Sequence, residues 1–224
     1  MRIGTKTQPV WAQMDVYFSP LACSMASRIA LYEAGAGARF VEVDPKTKRT
    51  LDGDDFFRVN PLGLVPAIRT GEGEILTENA AILQYIAERF PDAALAPAGG
   101  MARSRLQQWL CFVGTELHKA LFVPLFDAKM PDEAKARTLE KGDSRLKYLD
   151  GYLAGREFLL DRFSVADAYL FTVLNWKIAT PVDLKKWPAV ESYYKRLKQR
   201  PSIARALSEE HALYAEEMKR HKAA

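Results

Sequence analysis

Cys23 stands in Ser19-Pro20-Leu21-Ala22-Cys23-Ser24-Met25, where the apolar run Val16-Tyr17-Phe18 turns at a proline into residues of helical spacing. A thiol at a helix start meets unpaired backbone N–H groups and the positive end of the helix dipole, both of which favour the thiolate. A fall of about one to two units from a free-cysteine pKa of about 8.5 makes thiolate a substantial species at neutral pH. The plainer reading of any cysteine is a small buried hydrophobe. Val65-Pro66 opens a run of strand character. Proline cannot donate to a sheet ladder, so the pair predicts an exposed backbone edge, with a cis bond as one way to build it. Such an edge could pair with a peptide-like ligand; an ordinary edge-strand turn uses the same residues. Thr77-Glu78-Asn79 begin a helical pattern, so backbone N–H groups there could hold a carboxylate while Glu78 holds an ammonium, besides capping the helix. Lys46-Thr47-Lys48-Arg49 is the densest basic run, a solvated loop that could recruit a small anion. His118, beside Lys119, lies among apolar residues. A lone histidine there serves structure or, at a cleft, proton transfer as a neutral imidazole.

These residues depend on an ordered set of elements. Residues 15–18 read as a strand, 24–36 as a helix closing at Gly35 and Gly37, and 39–43 as a second alternating strand, a βαβ opening. A short helix at 54–59, the turn Asn60-Pro61-Leu62-Gly63, a strand at 65–69, hairpin chemistry over 70–74 and a brief strand at 74–76 follow. Residues 78–90 carry Ile82, Leu83, Tyr85 and Ile86 at helical spacing. The segment 91–100, dominated by Pro, Ala and Gly, reads as a linker. Everything beyond is helical: 101–128, 131–153, a helix opened by the capping box of Ser164-Val165-Ala166-Asp167, one from Trp187-Pro188 to Gln199, and a last one from Pro201. The expected architecture is an α/β domain over 14–90, the linker, and an all-α domain over 101–224. Residues 1–13 are expected to be an N-terminal extension outside the fold.

At 224 residues and 48% apolar, the chain has material for a sizeable core. Its formal charge of +4, from 32 basic and 28 acidic residues spread along the chain, lacks the basic face of a nucleic-acid binder. Two cysteines, Cys23 and Cys111, make neither a disulfide framework nor a metal-type pair, which points to a reducing, cytoplasmic setting and no metal site. Residues 1–13 hold no signal-peptide run, and no stretch of about 18 consecutive apolar residues occurs, so no membrane association is expected. His211 and His221 sit in the polar C-terminal segment without ligand spacing.

Five motifs in order carry a family resemblance: Ser19-Pro20-Leu21-Ala22-Cys23-Ser24, Asn60-Pro61-Leu62-Gly63-Leu64-Val65-Pro66, Leu76-Thr77-Glu78-Asn79, Glu116-Leu117-His118-Lys119 and Phe163-Ser164-Val165-Ala166-Asp167-Ala168-Tyr169. Over residues 14–207 the chain resembles a cytosolic glutathione transferase, most closely the bacterial beta class. The resemblance implies a thioredoxin-like glutathione-binding domain followed by an all-helical domain, a homodimer, and glutathione as co-substrate with no permanently bound cofactor. It places Cys23, Ser24 and His118 at the thiol site. It gives the cysteinyl unit of glutathione to the Val65 backbone beside a cis Pro66, the γ-glutamyl amino group to Glu78, a share of the adjacent carboxylate to Asn79, and the glycine carboxylate to Lys48. The chain departs from the family pattern at Phe18, often tyrosine; at Asn79, often serine; and at Cys111, where relatives can carry an asparagine that contacts glutathione. No second cysteine follows Cys23 within the motif, so a thioredoxin-type dithiol cycle is not available to it.

The implied activity is conjugation of glutathione to small hydrophobic electrophiles; Leu121, Phe122, Val123 and Phe126 could line the second pocket, although core or subunit packing is the commoner use of such residues. A glutathione-dependent thiol–disulfide or peroxide reductase acting through a Cys23 mixed disulfide is the alternative, since a monothiol needs an external thiol to resolve it. A non-catalytic binding module on the same fold is the third reading. Retention of Cys23, Lys48, Val65, Pro66, Glu78 and His118 argues against it.

Overall fold

The computed structural model describes residues 14–223, so the extension expected over residues 1–13 lies outside the described residues. Strand β1 (Asp15–Phe18) is buried along its whole length, which suits a central strand. It pairs in parallel with β2 (Arg39–Glu42), Asp15 opposite Arg39, across helix α1 (Met25–Glu33). Strands β3 (Ala67–Arg69) and β4 (Ile75–Thr77) complete an antiparallel half, in the order β2-β1-β3-β4. β3 is therefore an inner strand. The edge expected at Val65-Pro66 is instead the two residues ahead of it, joined by a cis bond.

Several elements are shorter than their spacing suggests. α1 stops at Glu33 rather than Ala36 because Gly35, at φ +62°, donates to Tyr32 O while Ala36 N–H reaches Leu31 O at 2.9 Å. That pair of bonds satisfies the last carbonyls of the helix without continuing it. The helix expected over 54–59 is a single tight turn, Phe56–Arg58, started by the Asp55 carboxylate accepting from Phe57 N–H. Its reason is packing: Phe56 plugs a small cluster with Tyr17, Val43 and Ala67 on one face of the sheet.

The other face carries the main core, which runs without a break from Val16, Ile29 and Ile68 through α2 (Asn79–Arg89) into the helical half. There α3 (Gly100–Phe112) continues as wider π-helical turns over Val113–Phe122 and ends in α4 (Val123–Phe126). By length and composition the run Gly100–Phe126 could cross a membrane, but Leu106, Trp109, Leu110, Val113, Leu117 and Leu121 bury its apolar side in the core. α5 (Asp132–Leu153), α6 (Val165–Asn175), α7 (Pro188–Lys198) and α8 (Pro201–Ala223) follow. Every residue of α6 is buried. Its first turn is fixed by Asp167, whose Oδ2 accepts from both the N–H and the hydroxyl of Ser164 at 2.8 Å, as the capping box predicts. Asp167 Oδ1 accepts from Leu159 N–H at 2.8 Å and Tyr193 Oη at 2.7 Å.

Candidate active site

A cavity of about 290 Å³ opens between the sheet-bearing half and the π-helical segment. Cys23, Val65, Pro66, Glu78 and Asn79 form one wall; Cys111, Gly114, Thr115, His118, Lys119 and Tyr169 form the other. Residues far apart in sequence thus meet, including most of those singled out from it.

Cys23 stands two residues before α1, next to its N-cap Ser24, close to where it was expected, but its ionisation runs the other way. Burial pushes the thiol up to about 12; the Lys119 charge and the N–H groups of Cys23 and Ser24 pull it down by less. The helix-start effect is present and desolvation outweighs it. The group is a thiol, and it donates to Val65 O at 3.3 Å. Ser24 also departs from expectation. It is fully buried, its hydroxyl donates to Ser19 O at 3.2 Å and accepts from Ser19 N–H at 3.3 Å, and it is not part of this cavity's wall. Its work is to close the loop that carries Cys23.

That loop is held from the helical half as well. Leu21, at φ +59°, donates its N–H to Glu210 Oε2 at 2.8 Å and offers its carbonyl to Trp176 Nε1 at 2.9 Å. Glu210 in turn accepts from Arg28 Nε at 2.8 Å, with both side chains buried. Burial raises the Glu210 carboxyl, and Arg28 and the Leu21 N–H pull it back.

Glu78 precedes α2 at φ +67°, exposed and with no cation partner among the described residues. The next side chain, Asn79, is turned inward: its amide donates to Cys23 O at 2.8 Å, and its buried Oδ1 has no partner. Val65 presents an N–H with no acceptor among the described residues. Lys48 is half-buried, at φ +57°, and outside the cavity wall. Its stem lies along Gly63, where an added Cβ would fall 3.4 Å from Lys48 Cδ and 2.8 Å from the Phe57 ring. With φ at +61° as well, that turn position demands glycine.

His118 reaches the cavity but bonds Tyr169 Oη through Nδ1 at 2.7 Å rather than Cys23. Burial, then the Lys119 charge, lowers its pKa to about 4, so the imidazole is neutral at pH 7. Tyr169 and Lys119 are the site residues that sequence reasoning missed, although both stand in the quoted motifs. Burial raises the Tyr169 hydroxyl, and Cys23 adds to that. Phe18 packs under the Arg28 guanidinium at 4.5 Å, away from the cavity wall. Leu121 and Phe122 belong to the core, the commoner of their two expected uses, while Val123 and Phe126 are exposed outside the cavity wall. Cys111 is exposed, stands free on the rim, and faces the same space as Cys23.

Residues 12–88 match the glutathione S-transferase N-terminal domain, and residues 115–201 match its C-terminal domain. The chain belongs to the glutathione S-transferase family. This transferase is 40% identical over 199 residues to glutathione S-transferase GstA of Escherichia coli O157:H7, covering 88% of this chain and 98% of that one. A sphingomonad glutathione S-transferase solved with glutathione superposes with a TM-score of 0.84 at 46% identity, covering 88% and 98% of the two chains. The beta-class enzyme of Sphingomonas chungbukensis gives 0.83 at 46%, with the same coverage. The bacterial beta-class resemblance and the thioredoxin-like and helical halves therefore stand. These relatives are named glutathione S-transferases, which supports glutathione conjugation as the activity of this transferase.

Proposed function

We propose that the cavity seats glutathione for conjugation to small hydrophobic electrophiles, with Cys23 as the hydrogen-bond donor to the glutathione sulfur. The observation that carries this reading is the Cys23 sulfur on the cavity wall, 3.3 Å from the carbonyl of Val65. That carbonyl and the open Val65 N–H form a backbone pair suited to the cysteinyl unit of glutathione. A cysteinyl N–H that takes the carbonyl frees the Cys23 thiol to turn to the incoming sulfur. A neutral thiol donates to a thiolate and does not compete with it as nucleophile. The Lys119 charge favours the anion in the same space. The glutathione thiolate then attacks the electrophilic carbon, a C–S bond forms, and the leaving group departs with its bonding electrons.

Glu78 takes the γ-glutamyl ammonium, and the first N–H groups of α2 take the adjacent carboxylate. Asn79 supports this from behind, by holding the Cys23 carbonyl. Lys48 meets the glycine carboxylate, an attraction of about 0.2–1 kcal/mol for a partly exposed pair. No permanent cofactor is needed for these steps. We also infer a cytoplasmic homodimer. Exposed Leu62, Phe57 and Leu64 support pairing, and two free thiols support a reducing compartment.

The test compares wild type with Cys23→Ala on an aryl halide and on a small mixed disulfide, after retention on immobilised glutathione. The expected result is retention, with conjugation lowered in the variant and disulfide reduction weak in both proteins. If disulfide reduction alone collapses in the variant, Cys23 is a redox nucleophile and the reductase reading replaces this one. Failure to bind glutathione at millimolar concentration sinks both. Gel filtration at micromolar protein checks the dimer.

A further inference from the structure

The last turns of α8 lie beyond residue 201, where the match to the family's C-terminal domain ends. They fold back onto the sheet-bearing half. His221 Nε2 lies 2.6 Å from Asp44 Oδ2, and Arg220 pairs with the buried carboxylate of Glu42 at the end of β2. Glu217, also buried, stands 4.0 Å from His221 Nδ1, and its Oε2 has no partner. Asp44 is the hub of the loop that follows β2. Its Oδ1 accepts from the N–H groups of Lys46 at 2.9 Å and Thr47 at 2.8 Å, and its backbone carbonyl accepts from Lys48 N–H at 3.0 Å. One carboxylate oxygen thus shapes the loop that presents Lys48, and the other is held by the C-terminal helix.

We propose that the end of α8 is a strap in which His221, acting through Asp44, positions Lys48 for the glycine carboxylate of glutathione. The inference rests on the assignment of Lys48 to that carboxylate. Burial works to raise the Asp44 carboxyl, and hydrogen bonds from Thr47, His221 and Lys46 outweigh it and hold the group down to about 2, so Asp44 accepts and the contact requires the donor to be His221 Nε2. Asp44 lies against Nε2 of His221 and Glu217 stands 4.0 Å from Nδ1, while Glu42 is taken up by Arg220, so carboxylates from two elements face the ring and favour that donor role. His221 touches no part of the cavity and is a positioning residue.

The experiment measures conjugation kinetics with glutathione and with glutathione monoethyl ester, whose glycine carboxylate is capped, for H221A, H221Q, K48A and the double variant H221A/K48A. H221A is expected to raise KM for glutathione about two- to fivefold, the range a partly exposed ion pair supports, with kcat at saturating glutathione unchanged. The ester should show no such rise, H221Q should recover most of the loss through its amide donor, and H221A should add nothing once Lys48 is gone. K219A, on the exposed side of the same helix, is the control and leaves both constants unchanged. If K48A raises KM for glutathione and H221A does not, the strap is wrong while the role of Lys48 survives. If H221A affects glutathione and its ester equally, the helix end is merely structural and the proposal fails. If K48A itself has no effect, the assignment of Lys48 fails and the strap with it.

Discussion

Replacing His118 with asparagine separates the cost of a buried imidazole from every other acid-sensitive group in the fold. The ring takes a proton only near pH 4 in the folded chain, against about 6.5 when unfolded. Above pH 6.5 it is neutral in both states and contributes no pH dependence. As pH falls through 6.5 the unfolded chain binds a proton that the folded chain refuses, so stability drops by about 1.4 kcal/mol per pH unit until the folded ring titrates. Between pH 7 and pH 4.5 that amounts to about 2.5 kcal/mol from this one group, a large share of a typical folding free energy. The asparagine amide can still meet Tyr169 Oη, so the shape of the site is kept while the titration is removed. Urea unfolding followed by tryptophan fluorescence at the two pH values gives the loss for each protein. The variant should lose about 2.5 kcal/mol less than wild type on acidification. Equal losses in the two proteins would refute the claim that His118 is held neutral by burial.

Three further outcomes follow from the packing. Asp167→Ala leaves the N–H groups of Leu159 and Ser164 and the Tyr193 hydroxyl buried without their acceptor and should cost about 3–6 kcal/mol in urea unfolding; a loss below about 1 kcal/mol contradicts the account. Gly142→Ala should lower the thermal midpoint despite better helix propensity, because the new Cβ would sit 2.4 Å from Leu121 Cδ1 in a closed core; overpacking there costs about 1–3 kcal/mol, and a raised midpoint contradicts it. Glu210→Ala strips buried Arg28 Nε of its closer carboxylate, leaving Glu209 at 3.4 Å from the guanidinium, and frees the Leu21 N–H, for a loss of about 3 kcal/mol by urea titration; indifference to the change would show that the pair does not hold the Cys23 loop.

The elements were largely legible because their periods and punctuation are local. The Gly35 stop, the Ser164 capping box and the proline ahead of β3 each act within a few residues. What sequence could not carry is burial. Cys23 sits where the backbone argument put it, yet its protonation is decided by surroundings that include Lys119, 96 positions onward. Ser24, assigned to the thiol site by the family resemblance, is spent on Ser19, a rotamer choice no spacing reveals. Tyr169 was passed over because its partner His118 is 51 residues away, on a different helix. His221 was set aside as tail for the same reason, since Asp44 lies 177 residues before it. Lys48 stands in the expected loop, but only the fold tells which way that loop is braced.

The π-helical turns of Val113–Phe122 carry one more implication. In an ideal α-helix, eight steps from Leu110 to His118 rotate the side chain by about 80° off line, so Leu110, Cys111, Gly114, Thr115, His118 and Lys119 would spiral away from the cavity they all line. Wider turns bonded from i to i+5 cancel that drift. Return to α-helical winding at the same chain length would turn His118 and Lys119 off the cavity by about 80° while every side chain kept its identity. On this wall of the cavity, the winding of the backbone specifies the chemistry as strictly as residue type does.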